Sequence, residues 1–94
     1  MATTVTVAQD TTREIDLGDS NGMSIAAPGA NASVHVDYQN PAGSGNYSSA
    51  IKGSAGYGNP FTVPAGGTKP VLKTDLESEH VRVGARDAGI TVTY

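Results

Sequence analysis

Apolar and polar residues alternate with a period of two along several short stretches of the chain. Val5 and Val7 alternate with threonines, and Val81 and Val83 alternate with polar residues and glycine. Because successive side chains of a strand point to opposite faces, this pattern is typical of strands that bury one face. It predicts strands over residues 3–7, 14–17, 23–26, 32–38, 71–74, 81–85 and 90–94.

Glycine, asparagine and aspartate separate these strands and predict how they connect. The pair Asn21-Gly22 adopts positive φ angles at low cost and is typical of a tight turn. Residues 86–89, Arg-Asp-Ala-Gly, have the composition of a hairpin turn and predict that the last two strands pair. The first and last strands either pair with each other or each lie at a sheet edge, where unpaired backbone groups invite another chain.

The central part of the chain, residues 39–69, has a different character. It contains seven of the twelve glycines and two Asn-Pro pairs, at 40–41 and 59–60. We expect a long surface loop here, with residues 61–63 anchoring its far end to the core; a short strand or one helical turn stays open for residues 48–52. Long loops in small domains are commonly functional.

The pattern as a whole predicts one all-β domain over residues 1–94, an antiparallel β-sandwich or small barrel of about seven or eight short strands. Apolar residues make up 37% of the chain, Trp is absent and Phe61 is the single Phe. The core is therefore expected to consist mainly of Val, Ile, Ala and Leu. A core with so few large apolar side chains becomes more stable if a partner surface, such as another copy of the chain, buries more of its apolar area.

Charge and cysteine content narrow the function classes. The net charge is −3 and the six basic residues are scattered, which argues against nucleic-acid binding. The absence of Cys excludes disulfides and thiolate metal sites. The N-terminus does not look like a signal peptide, and no apolar stretch is long enough for a transmembrane helix, so we expect synthesis in the cytoplasm and no membrane partner.

Candidate catalytic and metal-binding groups are few. Ser33, His35 and Asp37 share one strand face, but residues two apart on a strand lie roughly 6.5–7 Å apart and project in parallel, so we expect no convergence and no enzyme. Residues 16–22 lack the spacing of a calcium loop and are interpreted as a hydrogen-bonded turn. His35 and His80, with Asp37 or Glu79, form at most a weak metal hypothesis, so no metal or cofactor is expected.

Two tyrosines of the central segment, Tyr47 and Tyr57, attract more interest. Aromatic side chains on a polar loop can stack on sugars or anchor an interface; alternatively they fold back onto the sheet. Both interpretations stay open. The residues predicted to contact a partner are Tyr47, Tyr57, Phe61, Tyr94, Val5 and Val7.

The Thr-, Val-, Ala- and Gly-rich texture of residues 3–7, 61–67 and 89–94, without Cys or Trp, resembles small virion proteins of tailed bacteriophages, and among them capsid decoration or cement proteins. This resemblance implies a structural protein of the virion that binds the major capsid protein or another virion protein, stabilises the particle and forms a homo-oligomer. The alternative function is a carbohydrate-binding or adhesin-like module that uses the loop tyrosines.

Overall fold

The computed structural model describes residues 2–39, 43–49, 61–73, 76 and 79–94. These residues form strands and connecting turns, which confirms the all-β prediction. The strands are β1 Thr4–Val7, β2 Thr11–Asp16, β3 Gly22–Ala26, β4 Ala32–Gln39, β5 Tyr47–Ser49, β6 Phe61–Val63, β7 Thr68–Leu72, β8 His80–Arg86 and β9 Ile90–Thr93.

Two antiparallel sheets enclose a single core, as the sandwich prediction required. Sheet A has the strand order β1-β9-β3-β7, and sheet B has the order β2-β8-β4-β5, with β6 also pairing with β4. Alternate residues are buried in β3, β6, β8 and β9, as the period of two predicted. In β2 and β7 a single residue of each strand, Ile15 and Val71, is buried. The fully buried large side chains are Ile and Val, as composition predicted: Val7, Ile25, Val34, Val36, Val63, Val71, Val81, Val83, Ile90 and Val92.

The predicted hairpin between the last two strands is wrong. β8 pairs with β2 and β4 in sheet B, whereas β9 pairs with β1 and β3 in sheet A. Residues 86–89 therefore carry the chain from one sheet to the other. Asp87 has the positive φ of a tight reversal, 72°, but a reversal can lead either to a hydrogen-bonded neighbour or to the facing sheet. Local turn composition does not distinguish these outcomes.

Most other connections also change sheet. Among strands consecutive in sequence, β4 and β5 are the pair joined by hydrogen bonds in the described structure. The connections β1–β2 and β8–β9 lie side by side at one end of the sandwich, because a Cβ atom built on Gly89 would lie 3.4 Å from the Val7 carbonyl oxygen. Like Asp87, Asp10 in the first of these crossovers has a positive φ, 59°.

The expectation of one long loop over residues 39–69 is also wrong in part. β5 pairs with the second half of β4 and β6 with the first half, so two three-residue strands within this segment belong to sheet B. Strands this short give too few alternations to be seen in the sequence. The strand expected at 71–74 is β7, which begins earlier, at Thr68. Residues 40–42 and 50–60, which include Tyr57, lie outside the described residues.

The two chain ends pair with each other, which was one of the two open alternatives. Thr3 and Tyr94 exchange backbone hydrogen bonds of 2.6 and 2.8 Å, and the ladder continues between β1 and β9. β1 lies at the edge of sheet A, whereas β9 lies inside it. Of the two terminal strands, the N-terminal one is therefore the edge strand.

Candidate functional site

The outer face of sheet A has no charged side chain on its described strands. Because the valines of β1 and β9 point inward, the alternate residues point outward, and they are mostly hydroxyl-bearing or small. Thr4 Oγ1 and Thr93 Oγ1 lie 3.1 Å apart across this surface. We call it the threonine face; it consists of Thr4, Thr6, Ser24, Ala26, Thr68, Pro70, Leu72, Thr91 and Thr93.

The threonine face also carries an exposed apolar side chain. Leu72, at the β7 end of the face, is 53% exposed and is the exposed large hydrophobic residue of the described part of the chain. A single exposed leucine is ordinary on a protein surface. Here it adds apolar area to a face that already lacks charge.

The open edge of this sheet is β1. Thr3 and Tyr94 form a hydrogen-bonded pair of the antiparallel ladder. Because such pairs occur at every second residue, Val5 and Val92 form the next one. The backbone N–H and C=O groups of Thr4 and Thr6 therefore face away from β9. Arg13 Nη1 donates to the Thr6 carbonyl oxygen at 3.4 Å, which covers one of these groups with a charged side chain.

The opposite edge of sheet A, β7, is less suited to strand addition than β1. Hydrogen-bonded and non-hydrogen-bonded pairs also alternate between β3 and β7. Pro70 belongs to a non-hydrogen-bonded pair, so its backbone nitrogen lies on the side of β7 away from β3. Proline has no N–H to donate, so it interrupts any further ladder on that side. Strand addition to sheet A is therefore favoured at β1.

The predicted interface residues fall into two groups. Val7 is 1% and Phe61 8% exposed, and both belong to the core, so neither side chain offers a surface to a partner. Both residues occupy positions of β1 and β6 whose side chains point into the core. Val5 and Tyr94 are partly buried and pack against the core from the β1–β9 end. For these two residues and for Tyr47, contact with a partner stays a prediction.

Tyr47 folds back onto the sheet, one of the two arrangements left open. It lies on the polar outer face of sheet B rather than against the core. The guanidinium carbon of Arg82 lies 4.3 Å from its ring centroid. Its hydroxyl donates to Glu14 Oε1 at 3.1 Å and accepts a hydrogen bond from Gln39 Nε2 at 3.3 Å. The ring is thus held by three partners of this chain.

A buried carboxylate organises the centre of the same face. Asp37 is 9% exposed; its Oδ2 lies 3.3 Å from Arg82 Nη2 and its Oδ1 lies 3.2 Å from His35 Nδ1. The expectation that His35 and Asp37 do not converge is therefore wrong. Side chains lean along a strand, and the reach of an imidazole and a carboxylate closes the backbone spacing. Among the described contacts, no hydrogen bond joins Ser33 to His35.

A groove of about 810 Å³ lies next to this cluster. It runs over the outer face of sheet B to the two sheet-changing connections at the end of the sandwich. We call it the crossover groove. Its polar lining includes Asp10, Thr12, His35, Arg86 and Asp87, and Gly84 lies in its floor. No local sequence pattern indicates this site, because Asp10 and Asp87 lie near opposite ends of the chain.

A second polar cluster lies at the other end of β2 and β8. One ligand-type atom from each of Asp16, Glu79 and His80 lies within 4.8 Å of the others. His35 is not part of it, so the two histidines do not meet. Asp16 Oδ1 also accepts a hydrogen bond from the Gly18 N–H at 3.0 Å, consistent with the predicted turn. The cluster is open to solvent and has no further feature that indicates a metal.

No protein-family model, curated protein or solved structure matches the chain. The described residues include no helix that is long and apolar enough to cross a membrane. The assignment of function therefore depends on the geometry of the two outer faces.

Proposed function

We propose that this chain is a non-enzymatic structural protein of a larger particle, of the virion decoration or cement class, and that it docks through sheet A. The observation that carries this proposal is the coincidence of an uncharged outer face with an open edge strand on one sheet. The major capsid protein or another virion protein is the proposed partner, and the virion is the proposed location.

The threonine face is suited to burial in an interface. Burying an unpaired charge costs several kcal/mol, whereas burying a threonine or serine hydroxyl costs less, and a hydrogen bond across the interface offsets that cost. Interface cores are depleted in charged residues in the same way. Leu72 supplies an apolar anchor at one side of the face.

The opposite face of the sandwich supports the same orientation. The outward positions of β2, β4 and β8 carry both signs of charge, including Glu14, Asp37, Arg82 and Arg86. Burying these groups would require a partner for each. Sheet B is thus the face that stays in solvent when sheet A docks.

The open edge of β1 supports self-association. In a two-fold pair, β1 of one copy would align antiparallel with β1 of another, joining two threonine faces into one continuous surface. Arg13 covers the Thr6 carbonyl and would have to swing aside. This requirement predicts a dimer that forms on the particle more readily than in dilute solution.

Co-sedimentation tests the proposed function. Purified protein is mixed with virus particles that lack it, and the bound fraction is measured after sedimentation through sucrose. We expect saturable binding at a fixed ratio to the capsid protein and an increased resistance of the particles to heat. Protein that stays in the supernatant at all concentrations would overturn the proposal.

A proline substitution at the edge of β1 tests self-association. Thr6→Pro removes an edge N–H without removing a hydrogen bond between β1 and β9. We expect it to abolish cross-linked dimers on particles while the monomer keeps its fold by circular dichroism. Equal cross-linking of Thr6→Pro and the wild type would exclude pairing through β1.

A further inference from the structure

We propose that the crossover groove binds a neutral carbohydrate, seated over Gly84 between the aspartates of the two crossovers. This inference is independent of the docking of sheet A, because the groove lies on the opposite face. It also differs from stacking on the loop tyrosines, since Tyr47 is already engaged by Arg82 and Glu14.

The floor of the groove is a glycine, so no side chain at this position keeps a ligand from the backbone. Gly84 lies within β8, between Thr12 of β2 and His35 of β4 in the same cross-strand row. Its φ is not in the left-handed region, and a Cβ atom there would come within 3.3 Å of Thr12 Oγ1, an exposed side-chain atom. Backbone conformation therefore does not require glycine. A glycine inside a strand often marks a bulge, a tight bend, or the close approach of a ligand or another backbone. We infer the approach of a ligand here, because Gly84 lies in the groove.

The walls of the groove hold two aspartates in an unusual conformation. Asp10 and Asp87 are the non-glycine residues with positive φ in the described structure, and both line this groove. Aspartate tolerates this region better than most residues, yet such conformations cluster at binding sites. The adjacent crossovers bring both carboxylates to one end of the sheet.

The lining matches a ligand with many hydroxyl groups and no net charge. The carboxylates accept hydrogen bonds, and the Arg86 guanidinium and the hydroxyl of Thr12 donate them. An anion would meet Asp10 and Asp87, and a cation would meet Arg86. A polyol satisfies both kinds of group, because each hydroxyl can donate and accept.

His35 is oriented for the same role. Its Nδ1 faces Asp37 at 3.2 Å, and Asp37 is fixed by Arg82. This contact leaves Nε2 as the ring nitrogen available to a ligand in the groove. The volume of about 810 Å³ lies within the roughly 300–1,000 Å³ typical of small-ligand sites, and it admits a short oligosaccharide.

The test is a titration followed by ¹H–¹⁵N correlation spectra. The probes are neutral hexasaccharides of glucose, mannose, galactose and N-acetylglucosamine, with sialyllactose and a heparin hexasaccharide as anionic probes. We expect at least one neutral probe to shift the amides of Thr12, His35 and Asp87 and to leave those of Thr91 and Thr93 unchanged.

Two variants make the test specific. Gly84→Ala raises the floor by one methyl group, and Asp87→Asn keeps a residue that tolerates positive φ but removes the charge; each should weaken binding about tenfold or more. Thr93→Ala, on the threonine face, is the matched control and should bind like the wild type. Well-dispersed spectra show whether each variant is folded.

Three results would overturn the inference. The first is the absence of groove shifts with every neutral probe. The second is binding of the anionic probes alone, which would assign the groove to anions. The third is neutral binding that survives both groove variants, which would place the carbohydrate elsewhere on the surface.

Discussion

The outer faces of the two sheets differ in chemistry although they are built in the same way. Both sheets are antiparallel, both alternate buried and outward residues, and both contribute to one core. Yet the threonine face has no charge on its described strands, whereas the outer face of sheet B holds a buried carboxylate with two basic partners. Folding alone requires only that outward residues tolerate water. This difference is the basis of the two proposals, docking through sheet A and ligand binding on sheet B.

The largest expected effect comes from placing a charge on each face in turn. Thr93→Lys introduces an ammonium group in the middle of the threonine face, and Thr12→Lys introduces one on sheet B. If sheet A docks, burying the first charge weakens particle binding by about a hundredfold or more, and the second leaves it unchanged. Binding isotherms from co-sedimentation measure both. Equal losses for the two variants would remove the distinction between the faces.

The second comparison uses one glycine of each sheet. In Gly22→Ala of sheet A, the new Cβ would lie 2.3 Å from the Val71 carbonyl oxygen at a φ of 157°, so the free energy of unfolding should fall by about 2–4 kcal/mol. In Gly84→Ala of sheet B, no such clash occurs, and stability should change by less than about 1 kcal/mol. Urea denaturation of the two variants measures both changes in the free energy of unfolding. A large loss for Gly84→Ala would show that its glycine serves folding rather than a ligand.

The third prediction concerns the buried carboxylate of sheet B. Asp37→Asn weakens the contacts with Arg82 and His35, and we expect the free energy of unfolding to fall by about 1–3 kcal/mol. Asp16→Asn is the matched control, because that side chain is 61% exposed and its amide oxygen can still accept from Gly18; its effect should be under about 0.5 kcal/mol. Similar changes in the free energy of unfolding for the two variants would mean that the buried contacts of Asp37 do not stabilise the fold.

The smallest effect should come from Tyr47→Phe. This change removes the hydrogen bonds to Glu14 and Gln39 but keeps the ring over Arg82. We expect the free energy of unfolding to fall by about 0.5–1.5 kcal/mol. The decrease should be larger for Tyr47→Ala, which removes the ring as well. Thermal unfolding of the three proteins gives the comparison. A Tyr47→Ala variant as stable as the wild type would show that the contacts of Tyr47 with Arg82, Glu14 and Gln39 do not stabilise the fold.

Strand positions were readable from the sequence because burial imposes a period of two, as at Val81 and Val83 of β8. Strand pairing was not readable. The Arg-Asp-Ala-Gly segment before Ile90 has the composition of a hairpin turn, but it joins two sheets, and only contacts distant in sequence decide between these outcomes. For the short strands β5 and β6 the sequence was partly informative. A short strand was one of two open alternatives for residues 48–52, and the expected anchoring of residues 61–63 to the core is confirmed. Three residues carry too little pattern to predict the pairing with β4.

The candidate sites show the same division. That Thr4 and Thr6 share a face follows from alternation, but that Thr91 and Thr93 lie beside them depends on the pairing of β1 with β9. The crossover groove depends on two crossovers meeting, which no local pattern encodes. The contact between His35 and Asp37 does not follow from the backbone spacing along β4, because the reach of the two side chains determines it.

Hydroxyl-radical footprinting of the free and the particle-bound protein tests the separate functions of the two faces most directly. Leu72 reports on the threonine face and His35 on sheet B, and both side chains are accessible in the free chain. The docking of sheet A predicts that labelling of Leu72 falls several-fold on the particle while labelling of His35 is unchanged. Protection of His35 with unchanged labelling of Leu72 would contradict it.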